Sequence, residues 1–514
     1  MAPRAGTATA SWLAHLSDAA LVAGRPGPVA AVSYDSRRVV PGALFVAVPG
    51  FETDGHQYLR EALRRGAKAL LVQADRRPLW EALVGGHDIT IVSVPDTRRA
   101  LAQAAAGFFG DPARKLGVIG VTGTDGKTTS VHLIAHVLES AGRPAGFVSS
   151  AAFRVAEQSE LNASHMTTLE ASEMQERLAA MVRARLRYAV IEASSHGLAL
   201  HRVDRCAFDV AVFTNLSPDH LDFHGTLGEY REAKGRLFQM LDESPAKEGV
   251  AKAAVLNADD PASDHFRSLS GAPVATYGLE QPAEVTAEDL RVQGLNTSFV
   301  LCAPAGRQPV RSPLAGRYNV YSSLAAAAAG FSQGLSLDEV VRGLESFPGV
   351  PGRLELVEAG QPFRVVVDSA STPAALRRAL ELLRPATAGR LWAVFGCAGE
   401  RDVARREGMG RAAAEVADFS VLTSDDPRRE DPEAIIDEIA AALRRAGREE
   451  GRDFARVVDR REALRYALER AQPGDTVLLA RMGAEPTIVI GDKQLPWGEA
   501  RVARQLLEEL GRES

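Results

Sequence analysis

Three open α/β units in one chain are what this sequence predicts, the central one a P-loop-type mononucleotide-binding parallel sheet and the C-terminal one Rossmann-like. Three observations point there. The chain has 514 residues, more than one hydrophobic core can serve, and about 150 residues per domain gives three. Short apolar runs alternate with stretches of helical periodicity, the pattern of parallel sheets covered by helices. A glycine-rich turn ending in Lys127-Thr128-Thr129 follows the apolar run that starts at Gly117, which is where a phosphate-binding loop belongs.

Taken in order, residues 29–48 read as strand and turn, with Asp35-Ser36-Arg37-Arg38, then Pro41-Gly42, then an apolar strand from Ala43 to Val48. A helix over Tyr58–Arg65 stops at Gly66, and a strand over Lys68–Val72 follows. The turn cluster Gly110-Asp111-Pro112 sets a boundary, so a small first domain is expected over 1–112. Over 113–347 the clearest strands are the one from Gly117, Tyr188–Glu192, Val210–Asn215 and Ala253–Asn257. Leu324–Ala329 is far short of the ~20 apolar residues that span a membrane and reads as a closely packed helix. Phe347-Pro348-Gly349-Val350-Pro351-Gly352 marks the second boundary. Beyond it, over 348–514, strands at Phe363–Val367, Leu391–Phe395, Phe419–Thr423 and Thr476–Ala480 restart the alternation.

Composition narrows the function. Hydrophobic residues make up 46% and charged residues 25%, the balance of an ordinary globular protein. A net charge of −6 and a pI near 6.1 argue against a general nucleic-acid surface, which needs a basic excess. Cys206, Cys302 and Cys397 are scattered without metal-ligand spacing, so reduced thiols and a cytoplasmic location are expected. His15 and Asp18 interrupt the one N-terminal stretch that could pass for a signal core, and no membrane insertion is expected.

The residues themselves point to phosphoryl chemistry. Gly123 and Gly126 let backbone N–H groups approach phosphate oxygens at a helix N-terminus. Lys127 would neutralise the outer phosphates and Thr128 would hold Mg²⁺. Val131, Ile134, Ala135 and Leu138 recur at helical spacing until Gly142. The general P-loop expression is matched imperfectly, since Val121 stands where it has glycine. Open α/β sheets bind ligands at the carboxyl ends of their strands. Glu192 ends one strand, Thr214-Asn215 end another, and Leu216 to His224 follow. Mg²⁺ prefers oxygen ligands such as Glu192, with His220 a less usual one.

In chain order the sequence carries Gly-Val-Thr-Gly-Thr-Asp-Gly-Lys-Thr-Thr from Gly120, Glu-Ala-Ser-Ser-His-Gly-Leu from Glu192, and Phe-Thr-Asn-Leu-Ser-Pro-Asp-His-Leu-Asp-Phe-His-Gly from Phe213. Leu-Ala-Gly-Arg-Tyr-Asn-Val from Leu314 and Pro-Gly-Arg-Leu-Glu from Pro351 complete the series. These resemble the motifs of the Mur ligases over nearly the whole chain. The nearest resemblance is to the branch that adds an amino acid to UDP-N-acetylmuramoyl-L-alanyl-D-glutamate through an acyl phosphate, using ATP and Mg²⁺.

The resemblance implies that Gly123, Thr124, Asp125, Gly126, Lys127, Thr128 and Thr129 hold the ATP phosphates. Asn319, Arg353 and Asp368 match positions around adenine and ribose. It implies catalytic residues Lys127, Glu192, His220 and Lys234 and a metal centre at Thr128, Glu192, His220 and Lys234, with Lys234 carbamylated by CO₂. Carbamylation turns a cation into a carboxylate-like oxygen ligand; without the family match Lys234 reads as a solvated helix residue. Ser36, Thr167, Thr168, Ser194 and Arg202 match positions that hold the UDP-sugar peptide, although the threonines also read as a helix cap before Glu170. Asp425, Arg428 and Glu485 match the amino-acid side, and a monomer is expected.

The departures cluster near the C-terminus. Asp368-Ser369-Ala370-Ser371-Thr372-Pro373 replaces the usual Asp-Tyr-Ala-His-Thr-Pro. Ala480-Arg481-Met482-Gly483-Ala484-Glu485 replaces Ala-Gly-Lys-Gly-His-Glu. Asp125 stands for asparagine. The ATP side therefore reads as kept and the amine side as rebuilt for a shorter or neutral side chain than diaminopimelate. Two other readings stay open: a Mur-derived ligase outside wall synthesis, and a nucleotide-binding regulator that no longer ligates.

Overall fold

Gly117–Thr122 is fully buried because it is an inner strand of an eight-stranded sheet. From edge to edge the order is Val274–Tyr277, Ala253–Asn257, Val210–Phe213, Gly117–Thr122, Tyr188–Glu192, Ala145–Val148, Ala152–Val155 and Gln158–Leu161. The first six strands are parallel; the last two form an antiparallel edge. The chain leaves Tyr188–Glu192 and crosses Gly117–Thr122 to reach Val210–Phe213, so the glycine-rich turn opens at the crossover, where such sheets bind ligands. This computed structural model describes residues 11–51, 53–83, 89–164 and 166–513.

Two helices lie together beside the turn. Lys127–Ser140 buries Val131, Ile134, Ala135 and Leu138 and yields to Gly142 at φ 71°. Arg317–Ser332 packs on it through Leu324–Ala329, each fully buried. Small alanines let the two backbones approach closely, which is why that apolar run is a core helix.

Two further parallel-containing sheets flank this one. The N-terminal sheet runs Ala20–Ala23, Thr90–Val94, Ala69–Gln73, Leu44–Val46, Val32–Ser33. The C-terminal sheet runs Glu355–Leu356, Arg364–Val367, Thr476–Leu479, Leu391–Phe395, Phe419–Leu422, Phe454–Arg456. Each has one antiparallel edge strand, Ala20–Ala23 and Glu355–Leu356 respectively. The fold is thus the α/β architecture expected from the alternation of strands and helices.

Two small antiparallel sheets have no counterpart in the sequence reading, one of them the pair Thr487–Ile490 and Lys493–Pro496. Thr286–Gln293, Asn296–Ala303 and Gly306–Ser312 form a separate antiparallel sheet. Its outer strands are polar and largely exposed, whereas the middle one alternates buried Thr297, Phe299 and Leu301 with less buried neighbours, a period-two pattern the sequence reading passed over. Among the described residues no helix is long and apolar enough to cross a membrane. The three cysteines are free thiols.

Candidate active site

The turn after Gly117–Thr122 is built by its neighbour. Val210–Phe213 ends two residues earlier than its apolar run suggests, because Thr214 and Asn215 leave the ladder to brace the loop. Thr214 Oγ1 donates to Asp125 O (2.7 Å), and Asn215 Oδ1 accepts from Asp125 N (3.0 Å). The Asn215 carbonyl accepts from Thr124 N (2.8 Å). A side chain at Gly123 is excluded, since a Cβ there would stand 1.9 Å from Thr214 Oγ1. Gly126 has φ 80° at the helix N-terminus. Thr129 is half-buried on the next turn.

Two lysines converge on this loop. Lys127 Nζ donates to the carbonyls of Gly123 (3.1 Å) and Thr124 (2.8 Å). Lys234 Nζ, buried, donates to the same Gly123 carbonyl (2.6 Å) and lies 4.1 Å from the Tyr230 ring centroid. Among the described residues neither lysine is ion-paired. Burial pushes both amines below their usual range, helped at Lys234 by the charge of Lys127 and opposed at Lys127 by Glu192.

Helix Leu227–Glu243 carries Lys234 and starts with a Thr226–Glu229 capping box, a feature worth about 1 kcal/mol. Its buried stripe is Tyr230, Lys234, Leu237, Phe238 and Leu241. Lys234 therefore occupies a core position of an amphipathic helix, and that spacing was the sequence signal against a solvated lysine.

On the other side of the loop, Thr128 Oγ1 donates to Glu192 Oε1 (3.1 Å) and lies 2.9 Å from Ser150 Oγ. Glu192 Oε2 accepts from Ser150 N (2.8 Å). Ser150 follows Ala145–Val148, a strand the sequence reading did not identify, so this third oxygen was missed. The oxygen donors of Thr128, Glu192 and Ser150 fit a hard divalent cation such as Mg²⁺.

His220 stands apart from that trio on an exposed loop at φ 53°, with Nε2 3.4 Å from Asp219 Oδ2. Its ring meets His196 edge-on at 4.8 Å, and His196 stacks on Phe223 at 4.2 Å. Among the described residues, no group of three or more His, Cys, Asp and Glu side chains is arranged to hold a metal.

The residues expected to hold the sugar peptide divide. Thr168 Oγ1 donates to the Glu192 carbonyl (2.9 Å) and lies 2.9 Å from Ser194 Oγ. Arg202 Nη1 donates to Thr168 O (3.3 Å), and its Nε lies 2.7 Å from Glu170 Oε1. These three stand together beside the strand that ends in Glu192. Neither threonine caps a helix: Ala171–Arg183 begins at Glu170 without a side-chain cap, because Thr168 is spent on Glu192 and Ser194. Thr167 is half-buried next to it. Ser36 lies buried beside the N-terminal sheet, donating to Glu61 Oε2 (3.1 Å).

Arg353 and Asp368 flank the segment from 350 that leads into the C-terminal sheet. Asp368 Oδ2 accepts from Leu354 N (2.9 Å); burial pushes its carboxyl up, and Arg353 opposes that rise. The charge of Arg353 also helps to push the Lys127 amine down. Asn319, in the first turn of Arg317–Ser332, donates to Ala315 O (2.8 Å). Asp125 meets Arg378 of helix Pro373–Leu383 at 3.4 Å, so the charge that replaces an asparagine has a counterion.

The altered C-terminal segments meet one another. Ser369 Oγ donates to Gly352 O (2.7 Å), and a Cβ on Gly483 would stand 2.1 Å from that hydroxyl. Arg481 turns inward, with Nε 2.6 Å from Asp425 Oδ2 and Nη2 3.0 Å from Asp426 Oδ2. Burial pushes the Asp425 carboxyl up to about 6, against the pull of Arg481. Arg428 has φ 52° and pairs its backbone with Val489 and Gly491. Glu485 N donates to Met482 O (2.8 Å).

Known families and proteins match along the chain. Residues 28–109 match the Mur ligase family, catalytic domain; residues 121–330 the Mur ligase middle domain; residues 352–481 the Mur ligase, glutamate ligase domain. The chain is 44% identical over 510 residues to the UDP-N-acetylmuramyl-tripeptide synthetase of Roseiflexus sp. (strain RS-1), covering 97% of this chain and 98% of that protein. It is 40% identical over 481 residues to the UDP-N-acetylmuramoyl-L-alanyl-D-glutamate--2,6-diaminopimelate ligase of Geobacillus thermodenitrificans (strain NG80-2), covering 94% and 95%. A solved structure of a ligase with that same activity name is similar at 32% identity and a TM-score of 0.64, covering 94% of this chain and 96% of that one.

Proposed function

The chain belongs to the Mur ligase family, and from that premise we propose that it is the ATP-dependent ligase that adds an amino acid to UDP-N-acetylmuramoyl-L-alanyl-D-glutamate in peptidoglycan precursor synthesis. The observation that carries the reading is the convergence of Lys127, Lys234, Thr128 and Glu192 on one glycine-rich loop. The names of the relatives favour wall synthesis over a ligase outside it and over a regulator.

In this reading a carboxylate oxygen of the muramoyl dipeptide attacks the γ-phosphorus of ATP, and ADP leaves. The amino acid's neutral amine then attacks the acyl carbon, the nitrogen gives up one proton, and phosphate departs with the oxygen the carboxylate supplied. Lys127 and the loop N–H groups stabilise charge on the transferred group. Thr128, Glu192 and Ser150 would hold Mg²⁺, which supplies further positive charge there. A buried Lys234 amine held below its usual range suits reaction with CO₂, and His220 completes the proposed set. Thr168, Ser194 and Arg202, with Thr167 and Ser36, orient the UDP-sugar peptide. Asn319, Arg353 and Asp368 surround the nucleoside; Arg428, Asp425 and Glu485 face the amine. The division into a UDP-sugar domain over 1–112, an ATP domain over 113–347 and an amino-acid domain over 348–514 belongs to the same proposal, as does work as a cytoplasmic monomer.

Phosphate release tests it. With ATP, UDP-muramoyl-dipeptide and a panel of amines, release should require all three partners. Release that ignores both the dipeptide and the amine contradicts the reading.

A further inference from the structure

We infer that Asn257 is a positioning residue of the phosphate loop, its side-chain amide holding the Thr214 carbonyl and thereby setting where Gly123 to Asp125 stand. This rests on the nucleotide part of the reading above and on no assignment of the acceptor or amine sites.

The ladder between Val210–Phe213 and Ala253–Asn257 stops at the pair Phe213 and Leu256. One residue further the chain turns to brace the glycine-rich loop, and side chains take over from the ladder. Asn257 Nδ2 donates to Thr214 O (2.7 Å) in a buried bond. Asn257 Oδ1 accepts from Asp259 N (3.1 Å), so with a carbonyl on one side and an N–H on the other the amide has one orientation. Its backbone is fixed as well, because Ser263 Oγ donates to its carbonyl and its strand pairs with the one that ends in Tyr277. On either side of Thr214 the same segment is held again. Tyr277 Oη donates to Phe213 O (2.8 Å) from two strands away, and Asp260 Oδ2 accepts from Leu216 N (2.7 Å).

Thr214 is the member of that segment that presses on the loop. While Asn257 holds its carbonyl, its hydroxyl donates to Asp125 O (2.7 Å). A Cβ on Gly123 would stand 1.9 Å from that hydroxyl and 3.0 Å from Asn215 N and O, so no gap absorbs a movement of the segment. Displacement of Thr214 therefore passes to Gly123, whose carbonyl takes the amines of both Lys127 and Lys234. Loop N–H groups and lysines act on a transferred phosphoryl group only when aimed at it, and a misplacement of about 1 Å from outside a site can cost about 100-fold.

The test compares Asn257→Leu, which removes the donor, with Tyr277→Phe, which removes a buried donor to the carbonyl one residue earlier. Both should lower the melting temperature, as the loss of a buried hydrogen bond does. In phosphate release with the amine that the wild-type protein uses fastest, Asn257→Leu should lower kcat at least about tenfold and leave KM for UDP-muramoyl-dipeptide within about twofold. Tyr277→Phe should keep kcat within about threefold, since Phe213 makes no side-chain contact with the loop backbone. By calorimetry, the β,γ-imido analogue of ATP with Mg²⁺ should bind Asn257→Leu at least about tenfold more weakly than wild type. Should Asn257→Leu not fold, Asn257→Asp keeps the shape and the acceptor for Asp259 N, removes the donor, and is expected to give the same result. Wild-type kcat and analogue affinity in the folded variant, or losses in both variants that simply follow their melting temperatures, overturn the inference. Failure of every amine to support phosphate release contradicts instead the ligase reading, and the analogue affinities then still decide the role of Asn257.

Discussion

The phosphate loop and the strand ends at Asp425 and Arg481 are both carboxyl-edge sites of parallel sheets, yet they treat charge in opposite ways. At the loop, Lys127 and Lys234 lean on backbone carbonyls, and Glu192 is held by a hydroxyl and an N–H. At the C-terminal sheet, Arg481 is paired with Asp425 and Asp426. Charge satisfied only by neutral groups can be offered to a ligand; charge paired inside the protein fixes a shape. In the proposed reading the first kind of charge is the one offered to ATP.

The largest effect expected on this contrast is at Lys127. Lys127→Ala should lower ATP turnover by about 1,000-fold, the scale of a lost transition-state charge contact. UDP-sugar binding should stay nearly unchanged, since the residues proposed for it lie elsewhere. Calorimetry checks this, and a lost UDP-sugar signal in folded protein breaks the division. Next, Lys234→Ala should cost about 100-fold or more, the order of losing a ligand-supporting group, and added short carboxylates should restore part of it. Full activity without any additive removes the carbamate from the account.

Smaller and opposite effects of pH separate the two regions. His132, buried on Lys127–Ser140 with Nε2 2.9 Å from Ser149 Oγ, is pushed down to about 3 by burial. Its folded value lies below the unfolded 6.5, so its contribution is present above pH 6.5 and lost as pH falls through about 3. Asp425 is the reverse. Its folded value of about 6 exceeds the unfolded 3.8, so stability is present below pH 3.8 and lost as pH rises through about 6. Local hydrogen exchange should show 127–140 loosening in acid, a trend weakened by His132→Gln. It should show the turn after Phe419–Leu422 loosening between pH 4 and 6, a trend removed by Asp425→Asn.

The smallest effect is at Asp125 and Arg378, whose side chains are 58% and 42% exposed. A double-mutant cycle with Asp125→Asn and Arg378→Ala should give a coupling of at most about 1 kcal/mol, fading with salt. A coupling several times larger would make this pair part of the nucleotide site.

Much of this was legible in the sequence because it follows from local pattern. Lys127–Ser140 was bounded by glycine and apolar spacing, and Ala253–Asn257 and Leu391–Phe395 by apolar runs. The Thr128–Glu192 contact followed from strand ends meeting at one sheet edge. What escaped was long-range. Ser150 sits after an unrecognised strand, and Arg378 reaches Asp125 from a helix more than 200 residues away. The inward turn of Arg481 depends on Asp425 and Asp426 arriving from another strand, which no local pattern encodes.

Transfer of oxygen from the carboxylate to phosphate tests the central claim most directly. The muramoyl dipeptide is labelled with ¹⁸O in both oxygens of the reacting carboxylate, and the released phosphate is weighed with each amine that turns over. One ¹⁸O per phosphate, the same for every amine, is the result predicted when the loop activates the carboxylate before the amine is chosen. Unlabelled phosphate alongside amide product contradicts the acyl-phosphate account.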